Sequence, residues 1–200
     1  FLKRKKFLIF INSTIKYSYL KLISFNISLL ISDEVVFDSF NSMKHYKYIY
    51  KWPINKKIRV IPFIASIHSL NEKMSFKKNN SFISILRWHK DKGIDRIPEL
   101  ARKLNSKLIL YTFPMPLTKN ISANIEFKDG RDRKSLETDL ISSKVHISLS
   151  PLEGFSLIAF EAITFGCIPI SLAKTEMSEL VESSLNMKAN SINELVYLAI

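Results

Sequence analysis

A chain of 200 residues with 46% apolar and 12% aromatic side chains is globular, and large enough for one α/β domain with roughly a quarter left over. Its single cysteine, Cys167, excludes an internal disulfide and a cysteine-based zinc cluster, and suits a reducing cytoplasm by default. The formal net charge of +12 favours nucleic acid, an anionic membrane surface or an anionic substrate, although lysines scattered among Asn, Ile and Phe also read as a solvated surface.

Along the chain, a basic opening (Lys3, Arg4, Lys5, Lys6) leads into an apolar run at 7–11 that is far short of the ~20 residues needed to cross a bilayer. No signal-peptide pattern is present. With Phe1 at one end and an apolar run stopping at Ile200, the chain reads as a piece of a larger protein. A basic helix over 3–24, a strand over 27–31, a helix over 33–50 and a strand over 56–62 are expected in the first part. A polar loop over 69–80 then precedes a more regular region. There, strands are expected at 82–87, 108–113, 125–127, 145–149 and 168–172. Helices are expected at 94–104, 132–142, 155–165, 176–182 and from 192 onward, with Gly166 as the residue that closes the third of these. Short strands alternating with helices of about ten residues imply βαβ units on a parallel sheet. Ligands of such sheets sit beyond the carboxyl ends of the strands, so the turns after Arg87, Phe113, Phe127, Ser150 and Ala173 are the places to inspect.

Two of these turns carry chemistry. The first is Ser150-Pro151-Leu152-Glu153-Gly154-Phe155-Ser156-Leu157, where Gly154 permits close backbone approach and the amides of Phe155, Ser156 and Leu157 are the first donors of a new helix. A helix start of this kind suits phosphate. Glu161 lies eight residues beyond Glu153, ~12 Å along a helix axis, a separation that suits two carboxylates on distant hydroxyls of one extended ligand. Alone, the pair reads equally as a helix-start acid and a surface residue. Against the second, Glu161 is flanked by Ala159, Phe160, Ala162 and Ile163. The other turn is Leu86-Arg87-Trp88-His89-Lys90-Asp91-Lys92-Gly93. Its Arg87 and Lys92 are placed to neutralise a departing diphosphate, or else belong to an exposed basic turn.

Together the two segments resemble the retaining GT-B glycosyltransferases grouped as glycosyltransferase family four. Arg87 and Lys92 stand five apart, as in that family's Gly-Arg…Lys-Gly turn. The run Glu153-Gly154-Phe155-Ser156-Leu157-Ile158-Ala159-Phe160-Glu161-Ala162 fits its E-G-F-[GS]-L-x-x-x-E-A motif at every fixed position. Gly166-Cys167-Ile168-Pro169-Ile170 is similar to its G-x-P-V strand with one spacer residue more, and Val60-Ile61-Pro62 is similar to its domain-crossover stretch. The chain departs from the pattern at Leu86, where the family has glycine, at Phe63-Ile64, where it has Asn-Gly, and at Tyr111 to Met115, where it has a glycine-bearing loop.

The resemblance implies an α/β fold: a Rossmann-like parallel sheet with helices on both faces, the C-terminal domain of a GT-B enzyme. Residues 1–60 would be a remnant of the N-terminal acceptor domain, largely missing. Residues 61–200 would be the nucleotide-sugar-binding domain, cut short at its end. It also implies a retaining hexosyltransferase that takes a nucleoside-diphosphate sugar and a glycan or lipid-linked acceptor, in surface polysaccharide or lipopolysaccharide synthesis, with no metal or other cofactor. Arg87, Lys92 and Glu153 would be catalytic. Gly154, Phe155, Ser156, Leu157 and Glu161 would hold the donor, Glu161 through its ribose. The expected location is the cytoplasm, with peripheral contact at the anionic inner face of the plasma membrane.

Other residues read as structural. His89 is expected in an exposed turn, His146 in a buried strand, and Cys167 as a small buried apolar residue, while His45, His68 and Glu179 gain no role. Two rival functions fit the same sequence: an inactive glycosyltransferase fragment, and a non-catalytic basic module that binds nucleic acid with steep salt dependence.

Overall fold

The computed structural model describes residues 8–11, 27, 31–38, 40, 42–44, 57–61, 78–117, 122–150, 156–172 and 188–200, with backbone only for 8–11. His45, Pro62, His68, Glu179 and the expected helix over 176–182 lie outside them. The chain divides into two compact units, 1–64 with 153–155, and 65–152 with 156–200.

In the first unit, strands β1 (Leu8–Ile11), β2 (Glu34–Phe37) and β3 (Lys57–Val60) form a parallel sheet with β2 in the middle. Two expectations fail here. Residues 8–11 belong to a strand instead of a basic helix, and Ile27 and Ile31 are helical where a strand was expected, so that the strand falls at Glu34–Phe37. The helix expected from 33 onward is seen at 40 and 42–44 among the described residues, after the strand. The reason lies in Val35, Val36 and Phe37, a continuous apolar run with two β-branched members. Such a run suits a central strand buried on both faces, and all three are at most 1% exposed. Glu34, also buried, is matched by Arg59 Nε at 2.9 Å across the β2–β3 pairing, with Lys57 at 3.9 Å.

The second unit is a five-stranded sheet, parallel throughout. Its strands are β4 (Asn79–Arg87), β5 (Leu108–Phe113), β6 (Ile125–Asp129), β7 (Ser143–Ser148) and β8 (Ile168–Ser171), in the order β6-β5-β4-β7-β8. Helices α1 (Ile97–Lys103), α2 (Arg133–Ser142), α3 (Leu157–Thr164) and α4 (Ile192–Ala199) cover it. Strand alternation divides the core in two. Phe82, Leu108, Leu110, Val145 and Ile147 point to one face, where Ile97 and Leu100 of α1 and Ile192 and Leu195 of α4 pack on them. Their neighbours Ile83, Ile109 and Tyr111 point to the other face, against Leu136 and Leu140 of α2 and Ala162 of α3. This is the α/β, Rossmann-like sheet with helices on both faces.

Local chemistry sets the ends of the helices. The first turn of the expected helix at 94–104 is a 3-10 turn, Ile94–Arg96, with the α-helix starting beside Pro98, a residue accepted at the first positions because its missing N–H would be unpaired there anyway. Asp132 caps α2 through its side chain, which accepts from the Ser135 amide at 3.1 Å. Gly166 ends α3 as expected, with φ of 74°. Its amide reaches Ile163 O at 2.8 Å and the Cys167 amide reaches Ala162 O at 2.9 Å, the two bonds of a Schellman motif. Lys78, just ahead of β4, ties the two helix ends together: its Nζ donates to Phe165 O at 2.6 Å and Leu140 O at 3.2 Å. A cation suits these carbonyls, which lie at the negative ends of both helix dipoles. Cys167 is buried there and donates to Leu140 O at 3.1 Å, the small packed residue that its sequence context suggested.

Candidate functional site

From β4 the sheet grows one way through β5 and β6, and the other way through β7 and β8. The connections therefore leave in opposite directions from the β4–β7 pair, and the carboxyl ends of those two strands are where ligands of such sheets bind. The Arg87–Lys92 turn follows β4, and the segment leading to α3 follows β7. The fold thus brings the two singled-out segments to neighbouring strand mouths.

Direct contacts join them. Ser150 Oγ donates to Asp91 O at 3.3 Å, and Arg96 Nη1 donates to Leu149 O at 3.3 Å. Gly93 is the tightest point. It has φ of 73° and closes the 3-10 turn Lys90–Lys92 by donating to Lys90 O. A Cβ at this position would lie 2.2 Å from the carbonyl oxygen of Leu149, which is backbone and has no rotamer to yield. Gly93→Ala therefore meets both a left-handed conformation and a clash. We expect it to lower unfolding free energy in urea by about 2–4 kcal/mol. An unchanged midpoint would show that the two turns are not locked in this way.

The charged groups of the first turn are ordered. Arg87, the last residue of β4, is 58% exposed and its Nη2 donates to Asp91 Oδ2 at 3.0 Å, while His89 Nδ1 lies 2.6 Å from Asp91 Oδ1. Partial burial pushes the Asp91 carboxyl upward, but the bond to His89 and the charges of His89, Arg87 and Lys92 outweigh it and hold the group below its ordinary range. Lys92 is half-buried. His89 is exposed, as its turn position suggested, and works as the cap of the 3-10 turn. Trp88 packs edge-on against Phe127 at 5.9 Å, anchoring the turn to the apolar core. Asp91 had not been singled out in the sequence. Its signal was the spacing, four residues after Arg87 and two after His89 in a turn.

On the second side, Glu153, Gly154 and Phe155 lie outside the described residues. The helix starts at Leu157, two residues later than expected, because Ser156 is its cap: the Ser156 Oγ accepts from the Ala159 amide at 3.3 Å. Ser156 thus takes up the third amide of α3, and those of Leu157 and Ile158 are the ones a helix leaves for an anion at its start. Leu157 is 45% exposed. Glu161, one turn further on, is only 18% exposed and accepts from Arg133 Nη2, a residue that sequence reasoning missed. At the same edge of the sheet, Arg131 stacks on the exposed Phe113 ring at 4.3 Å, and Asp129 grips its guanidinium. Those bonds hold the Asp129 carboxyl down at about 2.

No group of three or more His, Cys, Asp or Glu side chains suited to a metal ion occurs among the described residues. A cavity of ≈ 530 Å³ lined by Leu104, Ser106, Lys107, Asn124 and Glu126 opens at the amino ends of β5 and β6. It lies at the wrong edge of the sheet for the two turns. Asn124 is already committed there, donating to the carbonyls of Ala101 and Leu104.

Neither a protein-family model nor a curated protein matches the sequence. Solved structures do match. TarM from S. aureus, in a complex with fondaparinux, alpha-GlcNAc-glycerol and UDP, superposes with a TM-score of 0.75 at 18% identity over 98% of this chain and 43% of its own. HepE from Anabaena, with UDP and glucose bound, gives 0.72 at 14% identity over 98% and 61%. WaaG, a glycosyltransferase involved in lipopolysaccharide biosynthesis, gives 0.61 at 14% identity over 96% and 64%. The chain thus spans between two fifths and two thirds of the length of these structures. At such identities the likeness is one of architecture, and the architecture this chain shares is that of GT-B glycosyltransferases.

Proposed function

We propose that the chain is the nucleotide-sugar-binding part of a retaining glycosyltransferase of family four, which moves a hexose from a nucleoside-diphosphate sugar to a glycan or lipid-linked acceptor of surface polysaccharide or lipopolysaccharide synthesis. One observation carries this reading. The basic Arg87–Lys92 turn and the start of α3, with Glu161 beyond it, lie at adjacent strand mouths where the direction of the sheet's connections reverses. UDP in the TarM and HepE complexes supports it.

In this reading Arg87 and Lys92 hold the diphosphate. As the bond between the sugar's anomeric carbon and the β-phosphate oxygen breaks, its electron pair goes to the diphosphate, the acceptor hydroxyl forms the new bond to the anomeric carbon, and its proton passes to the departing phosphate. The two cations meet that growing charge, so the step needs neither a metal nor another cofactor. The amides of Ser156 and Leu157, at the start of α3, face the phosphates or the sugar, together with the backbone at Gly154 and Phe155. Glu153 takes the sugar hydroxyls, and Glu161 accepts from the ribose. Donors of this kind go with a cytoplasmic position, and the excess of lysine with peripheral contact at the anionic inner face of the membrane.

Titration of the protein with UDP, GDP and ADP tests the donor site. Glu161→Ala is expected to weaken the tightest of these by about tenfold or more, since it removes charge-assisted hydrogen bonds, with no change in the circular-dichroism spectrum. Equal affinity in the variant and the parent would refute the assignment of Glu161.

A further inference from the structure

We propose that Arg133 is a positioning residue for Glu161, holding its carboxylate in the orientation that accepts from the ribose hydroxyls. The inference rests on the donor-site reading above. Arg133 is the first residue of α2 and Glu161 lies on the next helix, α3. The guanidinium is gripped from its own helix: Nε donates to Glu137 Oε1 at 2.7 Å, an i,i+4 pair. Its far end, Nη2, is thereby presented to Glu161 Oε1. One cation between two carboxylates leaves the trio with a net charge of −1, so Glu161 is oriented without being neutralised. Only Oε1 is taken up. Among the described residues Glu161 Oε2 accepts no hydrogen bond, which leaves an acceptor for a hydroxyl donor.

A second role for the pair, as a mere tie between helices, is weaker on energetic grounds. Leu136 and Leu140 of α2 already share an apolar cluster with Ala162 and Phe165 at α3, all at most 5% exposed. Arg133 is 46% exposed, and ion pairs of that kind add little to stability because water screens them. What the pair does supply is order. A free glutamate side chain loses rotamer freedom when it engages a ligand, and one already held by Arg133 loses less.

The test uses the full chain and titrates UDP, GDP and ADP, then compares the tightest of them with its 2′,3′-dideoxy counterpart. Arg133→Gln is expected to weaken the ribonucleoside diphosphate about tenfold and to leave the dideoxy compound unchanged. It should add nothing in a Glu161→Gln background, because the loss is already taken there. Arg133→Lys keeps the charge without the fork and should recover part of the affinity; it also serves if Arg133→Gln does not fold. Undiminished ribonucleotide binding by Arg133→Gln, or an equal loss for both ligands, overturns the positioning role while leaving the donor site intact. Failure of the parent protein to bind any nucleoside diphosphate overturns the donor-site reading and this inference with it.

Discussion

Arg87→Met and Lys92→Met are each expected to weaken nucleoside-diphosphate binding by about 10- to 100-fold, the range for losing a hydrogen bond to a charged group, while affinity for the unphosphorylated nucleoside stays unchanged. The expectation follows from the charge balance of the turn. Arg87, Lys90 and Lys92 face one carboxylate, Asp91, so three positive charges and one negative leave +2 with His89 neutral. Asp91 keeps Arg87 oriented in the absence of ligand, at 3.0 Å in an exposed pair that water and salt weaken. A diphosphate brings more charge than that carboxylate, and its oxygens match the guanidinium fork. Exchange of partners is therefore favourable, and it should weaken steeply as salt is raised. The nucleoside is the decisive control. If it loses affinity as much as the diphosphate does, the two cations are shaping the turn and do not contact phosphate.

Much of this arrangement could be read before any coordinates, and the divide follows physical lines. The strand at 108–113 falls where expected, because Leu108 to Tyr111 is a continuous apolar run in a strand buried on both faces and Pro114 ends it. The expected helix at 132–142 begins one residue later because Asp132 is its cap, and Gly166 marks the end of α3 through a backbone conformation few other residues accept. Expectations fail over 8–37. There, helical spacing of apolar residues and short β-branched runs overlap, and pairing between strands far apart in sequence decides the outcome. At the candidate site, the motif residues Arg87, Lys92 and Glu161 were visible as sequence. Arg133 and Asp91 were not. Their role comes from which side chain stands opposite them, and for Arg133 that partner is 28 residues away on another helix.

His146 makes the stability of the fold depend on pH. It sits on β7 in register with Ile83 of β4 and Pro169 of β8, fully buried, and neither ring nitrogen has a hydrogen-bond partner. Burial alone pushes its pKa down to about 4 from the 6.5 of an exposed imidazole. The ring is neutral in the folded protein, whereas the unfolded chain takes up a proton below pH 6.5. Between pH 6.5 and 4 the unfolded state thus binds more protons, and stability falls as pH falls. The contribution is complete above 6.5 and has fallen by about 3 kcal/mol at pH 4, at ~1.4 kcal/mol per pH unit. Carboxylates with lowered values, Asp91, Glu99, Glu126, Asp129 and Asp132, lose their stabilising effect as well, but only as pH drops through and below their ordinary range near 4. Among the described residues, the window from 4.5 to 6.5 therefore belongs to His146. Urea unfolding across that window should show a slope that His146→Leu abolishes. The same substitution removes two unsatisfied ring nitrogens from the core, so it should also raise stability at pH 7 by about 1 kcal/mol. A slope that survives in His146→Leu would assign the acid sensitivity to another group, and a loss of stability at pH 7 would mean that the imidazole contributes packing that leucine does not replace.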